Sequence, residues 1–317
     1  MKKPIMICGG IDTGKRKLDV ALDGSAGQLQ VANTATGHRE LSAWLRRHHV
    51  KRVGIEASGG YEQAVVAQLR RDGFVVIVFQ PGQVRAYAKF HLQRAKNDKI
   101  DAALIAACTA AAKKIHAPPD PRLVAMAEQQ TLIDQIVDQI ARLKNYRESC
   151  RDPKLRQFWE DEIKRFRGLF RKQLKQLVAA IRQHRDLAER LDLIASIDGI
   201  ALRTATAILV RLPEIGRISR EQAAALAGLA PYDDDSGDRE GTRHIAGGRE
   251  RLRNSLYAAA LAASFRWNPE LIALYKRLTA AGKEHKVALT ACARKLLIFA
   301  NAVVARGTPW ASHAAAR

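Results

Sequence analysis

The sequence predicts an α/β segment followed by a part that is all-α. Two observations carry this. Up to about His116, short apolar strands alternate with helical stretches. Beyond the proline-rich Ala117-Pro118-Pro119-Asp120-Pro121, apolar residues recur at three- and four-residue spacing with almost no strand signal.

Residues 4–11, 18–22 and 28–33 form the first three predicted strands, the third after an Asp23-Gly24 turn. Residues 40–49 are helical by the spacing of Leu41, Trp44 and Leu45. Residues 52–56 are a short strand and 61–71 a helix; 74–79 (FVVIVF) is a wholly apolar strand that Pro81-Gly82 ends. Residues 98–112 form an alanine-rich helix. Two opening hairpins followed by crossovers give a mixed sheet covered by helices.

After the linker, Ile133, Ile136, Ile140 and Leu143 make one apolar stripe. Ile163, Phe166, Phe170, Leu174, Leu177 and Ile181 make another, with Asp152-Pro153 between them. Such a hairpin of long helices either packs on itself or pairs with another subunit. From Leu191 the chain is again helical, with an alanine-rich helix up to Leu212 and others at 222–229, 252–265 and 284–304. A polar, Gly-rich loop lies between Ala230 and Arg251. The expected divisions are 1–116, 117–190 and 191–317.

Lys and Arg number 53 against 32 Asp and Glu in 317 residues, a formal net charge of +21. Self-repulsion of that size disfavours a compact chain unless a polyanion offsets it, and nucleic acid gains from counterion release on binding. No stretch reads as long and apolar enough to span a bilayer. MKKPIMICGGIDTGK lacks the apolar run of a signal peptide, so a cytoplasmic, nucleoid-associated protein with no membrane partner is expected. Cys8, Cys108, Cys150 and Cys292 are too widely spaced for a CxxC zinc pair.

Acidic residues then stand where chemistry needs them. Asp12 directly follows an apolar strand in GGIDTGKRKLDVAL, and Glu56 ends the strand in VGIEASGGYE. Asp98 and Asp101, in KNDKIDA, share one helical face. If the first and fourth strands are neighbours, Asp12 and Glu56 emerge side by side. Converging carboxylates repel unless a divalent cation lies between them; Mg2+ suits such an all-oxygen site. Asp98 alone reads equally as a helix cap. Asp19 and Glu62 are read as solvent-facing or ion-paired. GGIDTGKR nearly matches a phosphate-binding loop, but Arg16 replaces the hydroxyl residue and a strand follows instead of a helix.

Ser236 lies in APYDDDSGDREGTRHIAGGRERLR, beside Arg239, Arg243, Arg249, Arg251 and Arg253. With Lys15, these are candidates for holding phosphates. A serine nucleophile would conserve phosphodiester energy in a covalent ester; from chemistry alone, DDDSGD reads first as a polar turn. LIASIDGIALRTATAILV is similar to a helix-hairpin-helix, with Ala201 in place of its second glycine.

GIDTGKRKLDVAL, GIEASGGYE, KNDKIDA and LAGLAPYDDDSG followed by GGRERLRNSLYAAALAA, in this order, resemble the DEDD transposases of bacterial insertion sequences, relatives of the Piv-type DNA invertases. The resemblance covers essentially the whole chain. It implies a RuvC-like, RNase H-fold N-terminal domain that binds Mg2+ through Asp12, Glu56, Asp98 and Asp101. It also implies a long coiled-coil middle and a helical C-terminal transposase domain with a catalytic Ser236. The implied partners are donor and target double-stranded DNA, a structured noncoding bridge RNA that guides both, and further copies of the chain in a dimer or tetramer. The competing expectations are a junction-type nuclease that activates water with the same acids, and a non-catalytic nucleic-acid-binding protein.

Overall fold

The computed structural model describes residues 7–92, 98–113, 118–233, 241 and 243–311, with the backbone alone described at Asp98 and Lys99. It divides into two compact units, Met1–Pro118 and Pro119–Arg317.

In the first unit, β1 (Cys8–Thr13), β2 (Lys17–Leu22) and β3 (Gln28–Ala32) form an antiparallel meander. β4 (Arg52–Glu56) pairs parallel with β1, and β5 (Val75–Phe79) parallel with β4. The sheet order β3-β2-β1-β4-β5 is that of an RNase H-like fold, and the first and fourth strands are neighbours as expected. One sheet face carries Ile11, Val20, Val53, Ile55 and Val76. It packs against Leu41 and Leu45 of α1 (Ala35–Arg47) and against Val65 and Leu69 of α2 (Gln63–Arg71). Helix α1 begins five residues before the predicted start, because the Thr34 hydroxyl accepts from the Gly37 amide at 3.3 Å and caps it.

The opposite face carries Ile77 and Phe79, which pack against α3 (Pro81–Phe90) and α4 (Asp98–Ala111). Helix α3 was not expected. Pro81-Gly82 reads as a terminator, yet Pro81 occupies the first helical turn, where its missing N–H costs nothing, and Gln80 and Gln83 cap one another's backbone.

Helix α4 approaches the sheet over two glycines. A Cβ at Gly10 would lie 2.1 Å from the Ala106 nitrogen and 2.3 Å from the Ala102 oxygen. One at Gly54 would meet Thr109 Oγ1 at 1.8 Å. At Gly10 the helix backbone thus rests where the strand has no side chain, and at Gly54 the Thr109 side chain fills that space.

In the second unit, α5 (Pro121–Ser149) and α6 (Pro153–Arg182) form the long hairpin, capped by Asp120 and Asp152 with a proline at each start. Ile133, Ile136, Leu143, Ile163, Leu177 and Ile181 are buried along it, as the stripes predict. Part of this hairpin shares a core with α7 (Arg185–Ala195), α8 (Leu202–Arg211), α9 (Arg220–Ala227), α10 (Glu250–Ala262), α11 (Pro269–Ala280) and α12 (His285–Arg306). Between α10 and α11 lies a π-helical segment, Ala263–Trp267.

One expectation is corrected. Helix α12 is long and apolar enough to cross a membrane. Its apolar residues instead build the centre of the second unit: Leu289, Ala293, Leu296, Leu297, Ala300 and Val303 are fully buried there. Asn301, on the same helix, accepts from the Gly216 amide at 2.8 Å. A helix surrounded by its own fold needs apolar residues on most sides.

Gly10→Ala should therefore destabilise the first unit by at least roughly 2 kcal/mol, because the atoms it meets are backbone and cannot rotate away. Gly82→Ala, which meets nothing within 4 Å, is the control and should leave thermal unfolding unchanged or slightly raised. Equal melting of the two variants would contradict the close contact.

Candidate active site

Strand register assembles a row of polar residues across the sheet. Gln30 pairs with Asp19, and Asp19 pairs with Asp12. Ile11 pairs with Ile55, so Asp12 and Glu56 are next in register on adjacent parallel strands, and Glu56 pairs with Phe79. Partners in register share a sheet face. The row therefore projects on the side of Gly10 and Gly54, where α4 lies. Asp12 and Glu56 are both half-buried. Adjacent strands stand about 4.8 Å apart, close enough for both carboxylates to reach one cation.

Asp101 is half-buried in the first turns of α4, one residue before Ala102, whose carbonyl oxygen touches the Gly10 position. Helix α4 thus carries Asp101 to the strand that bears Asp12. Asp98 begins the same helix, and its side chain lies outside the described residues. Among the described residues no group of three or more potential ligands is gathered tightly enough to hold a metal. The donor set nevertheless fits one in kind: carboxylate oxygens, two of them brought side by side by register, are hard ligands suited to Mg2+.

Asp19 sits in this row at 5 % exposure. It was read as solvent-facing or ion-paired, and it is paired: Lys17 Nζ lies 3.0 Å from Oδ2, and Gln30 Nε2 donates to Oδ1 at 2.5 Å. The alternation in KLDVAL carried the signal, since it puts Asp19 on the face opposite Leu18 and Val20. Glu62 accepts from the amides of Ser58 and Gly60, both at 3.0 Å, and fixes the loop after Glu56. Ser58 Oγ donates to the Thr13 carbonyl at 2.9 Å, tying that loop to the residue after Asp12. Asn33 Nδ2 donates to the carbonyls of Gly14 and Tyr61 at 3.0 and 3.1 Å. Its Oδ1 is bonded to the His38 ring, whose pKa burial pushes below the ordinary histidine range. Lys15 is exposed in the β1–β2 turn beside these ties.

The Gly-rich loop of the second unit has a built base. β6 (Pro231–Tyr232) and β7 (His244–Ile245) pair antiparallel, a hairpin in a region expected to lack strands. Ser236 and Arg239 lie outside the described residues, in the segment between these strands. Arg243, exposed, pairs with Asp233. Arg249 forks onto Glu214 at 2.7 and 2.8 Å, and Arg253 donates to the Gly247 carbonyl at 2.7 Å. Gly228 and Gly248, both with positive φ, touch: a Cβ at Gly248 would lie 2.1 Å from the Gly228 nitrogen. The glycines of LAGLAP and AGGRER thus bring the two ends of the hairpin together. Arg251 lines a polar cleft of about 210 Å³ with Asp134, Asp138, Arg203 and Glu250.

The helix-hairpin-helix-like turn is used for packing. Gly199, with φ +94°, faces Ala263: a Cβ there would come within 2.4 Å of the alanine's own. Asn268 Nδ2 donates to the Asp198 carbonyl at 3.1 Å.

Residues 9–150 match a family described as transposase, DEDD_Tnp_IS110, and residues 191–276 match the Transposase IS116/IS110/IS902 family. The chain is 29 % identical over 319 aligned residues to the pilin gene-inverting protein of Moraxella bovis, covering 95 % of this chain and 96 % of that one. It is equally similar to the pilin gene-inverting protein of Moraxella lacunata, at 29 % and with the same coverage. Among solved structures it is similar to T. thermophilus RuvC in complex with a Holliday junction substrate, at 18 % identity and a TM-score of 0.27, over 32 % of this chain and 91 % of that one. A second Thermus thermophilus RuvC structure gives 21 % identity and a TM-score of 0.24, over 36 % and 84 %.

Two variants rank the forces at the hairpin base. Arg249→Lys loses a forked contact that is about one-third exposed, so solvent screening limits the expected cost to about 1 kcal/mol or less. Gly248→Ala adds backbone overlap to a left-handed conformation and should cost at least about 2 kcal/mol. Scanning calorimetry reads both in the transition of the second unit; the reverse ranking would mean that the ion pair holds the base.

Proposed function

The chain belongs to the IS110 family of DEDD transposases, and we propose that it cuts and rejoins donor and target double-stranded DNA under the guidance of a structured noncoding RNA. The observation that supports this best is the register that sets Asp12 beside Glu56, with the first turns of α4 brought onto the same strands.

In this reading Asp12, Glu56, Asp98 and Asp101 hold Mg2+. When bound, the cation draws electron density from the scissile phosphate and stabilises the charge that builds on its oxygens. Ser236 is the nucleophile. Its oxygen bonds to phosphorus as one P–O bond of the DNA strand breaks, and the seryl proton passes to the leaving oxygen. The phosphoserine ester keeps the bond energy, so a hydroxyl from the other DNA attacks it and restores Ser236 without ATP. Lys15, Arg239, Arg243 and Arg251 hold phosphates near the reacting strands. Arg249 and Arg253, already engaged at the base of the hairpin, act by holding the serine loop in place.

The guide RNA and the DNA account for a net charge of +21. Subunit pairing is supported by the tip of the α5–α6 hairpin, where Tyr146, Leu155 and Phe158 are exposed apolar side chains.

Incubation with end-labelled DNA carrying the element ends should give covalent protein–DNA adducts with the unaltered chain. Ser236→Ala should give none while still binding RNA and DNA. Adducts from Ser236→Ala would refute the nucleophile; strand cleavage that Ser236→Ala leaves intact would establish the water-activating nuclease instead. Asp12→Asn should lose cleavage by at least about two orders of magnitude, since a neutral ligand weakens the metal site.

A further inference from the structure

The second unit displays an aromatic shelf. In the π-helical segment, Ala263 and Ser264 are buried under the α7–α8 turn, while Phe265 and Trp267 are 52 % and 62 % exposed with Arg266 between them. Leu261, one turn earlier, is exposed as well. Ala258, Leu261, Ala262, Phe265, Arg266 and Trp267 line a groove of about 340 Å³. Two large aromatic rings on one short segment are a costly surface to leave in water.

The segment is held rigidly. The Asn268 amide donates to the Ala263 carbonyl at 3.0 Å, five residues back, which is the π-type bond. The Asn268 side chain is fully buried, caps α11 through the Leu271 amide at 3.1 Å, and grips Asp198 from its other end. Gly199 leaves the room that Ala263 fills. The fold therefore uses the hydrogen bonds of a buried asparagine to hold a bulge whose outward product is Phe265-Arg266-Trp267.

Basic groups border the shelf. Phe265 stacks at 4.9 Å on Tyr275 and lies 6.4 Å from the His285 ring. Tyr275 and His285 share a hydrogen bond at 2.7 Å. His285 opens α12 in the exposed run Gly282-Lys283-Glu284-His285-Lys286. The acidic groups on these elements are Glu270 and Glu284; Arg266, Lys276, Arg277, Lys283 and Lys286 outnumber them. A second copy of this chain would bring the same positive charge against itself. Rings that offer flat faces, beside cations that offer charge to phosphates, match an unpaired nucleic-acid strand.

We infer that the Phe265–Trp267 shelf is a stacking site for unpaired bases of single-stranded DNA, with Arg266, Lys283 and Lys286 on the flanking phosphates. The inference rests on DNA being the substrate, because strands must part before they are exchanged. It needs neither the metal nor Ser236.

The test is fluorescence anisotropy of labelled dT20 with the full-length chain in EDTA. Trp267→Ala should weaken binding about tenfold, Phe265→Ala somewhat less, and Trp267→Tyr should retain most of the affinity. Both positions are exposed, so thermal unfolding should not change. No binding of dT20 by the unaltered chain would sink the DNA reading itself. Binding that Trp267→Ala leaves unchanged would overturn the shelf alone. So would a loss seen only with rU20, which would make the site one for RNA, or a change in oligomeric state in Trp267→Ala, which would make it a protein interface.

Discussion

Backbone-on-backbone contact between α4 and the sheet is the constraint on which the first unit depends. Helices ordinarily rest on sheets through side chains, about 10 Å away. Here Gly10 and Gly54 remove those side chains from the two central strands, and the helix settles its main chain over Gly10 and its Thr109 side chain over Gly54. The next residue on the same face of each strand is an acid, Asp12 or Glu56. A close helix therefore brings its first turns, which carry Asp101, onto those strands.

The second unit applies the same principle differently. The base of the β6–β7 hairpin and the π-helical segment are each held by close packing. Touching glycines and the Arg249–Glu214 fork close the hairpin on either side of the serine segment. Gly199 and Asn268 fix the π-helical shelf. In both places small residues permit close approach and one polar side chain sets direction.

The strand set was legible because strong alternation and turn signals bounded it: 18–22, 28–33 and 52–56 all lie within a residue of the observed strands. Asp12 and Glu56 were legible because an acid ending an apolar strand breaks that strand's own logic. Helix α3 was not, because Pro81 punctuates a sequence in the same way whether it ends a strand or opens a helix. The tie from Asp19 to Gln30 was not legible, since Gln30 lies on the neighbouring strand, whereas its partner Lys17 is two residues back on the same strand. The structural duties of Arg249 and Arg253 were hidden for the same reason: a run of arginines near a serine looks alike whether it meets phosphate or holds a turn. The reading that no stretch is long and apolar enough to span a bilayer failed at α12, because a helix buried on most sides has the composition of a spanning one.

Helix α12 has one more implication. It supplies the middle of the second unit's core, yet it is the last helix of that unit in chain order. During synthesis the ribosome releases it after everything it must pack against. Until then α7, α9, α10 and α11 lack the helix that each packs against in the finished unit, and its core stays incomplete. A nascent chain would thus hold all the residues of its first unit while the second still lacks the middle of its core.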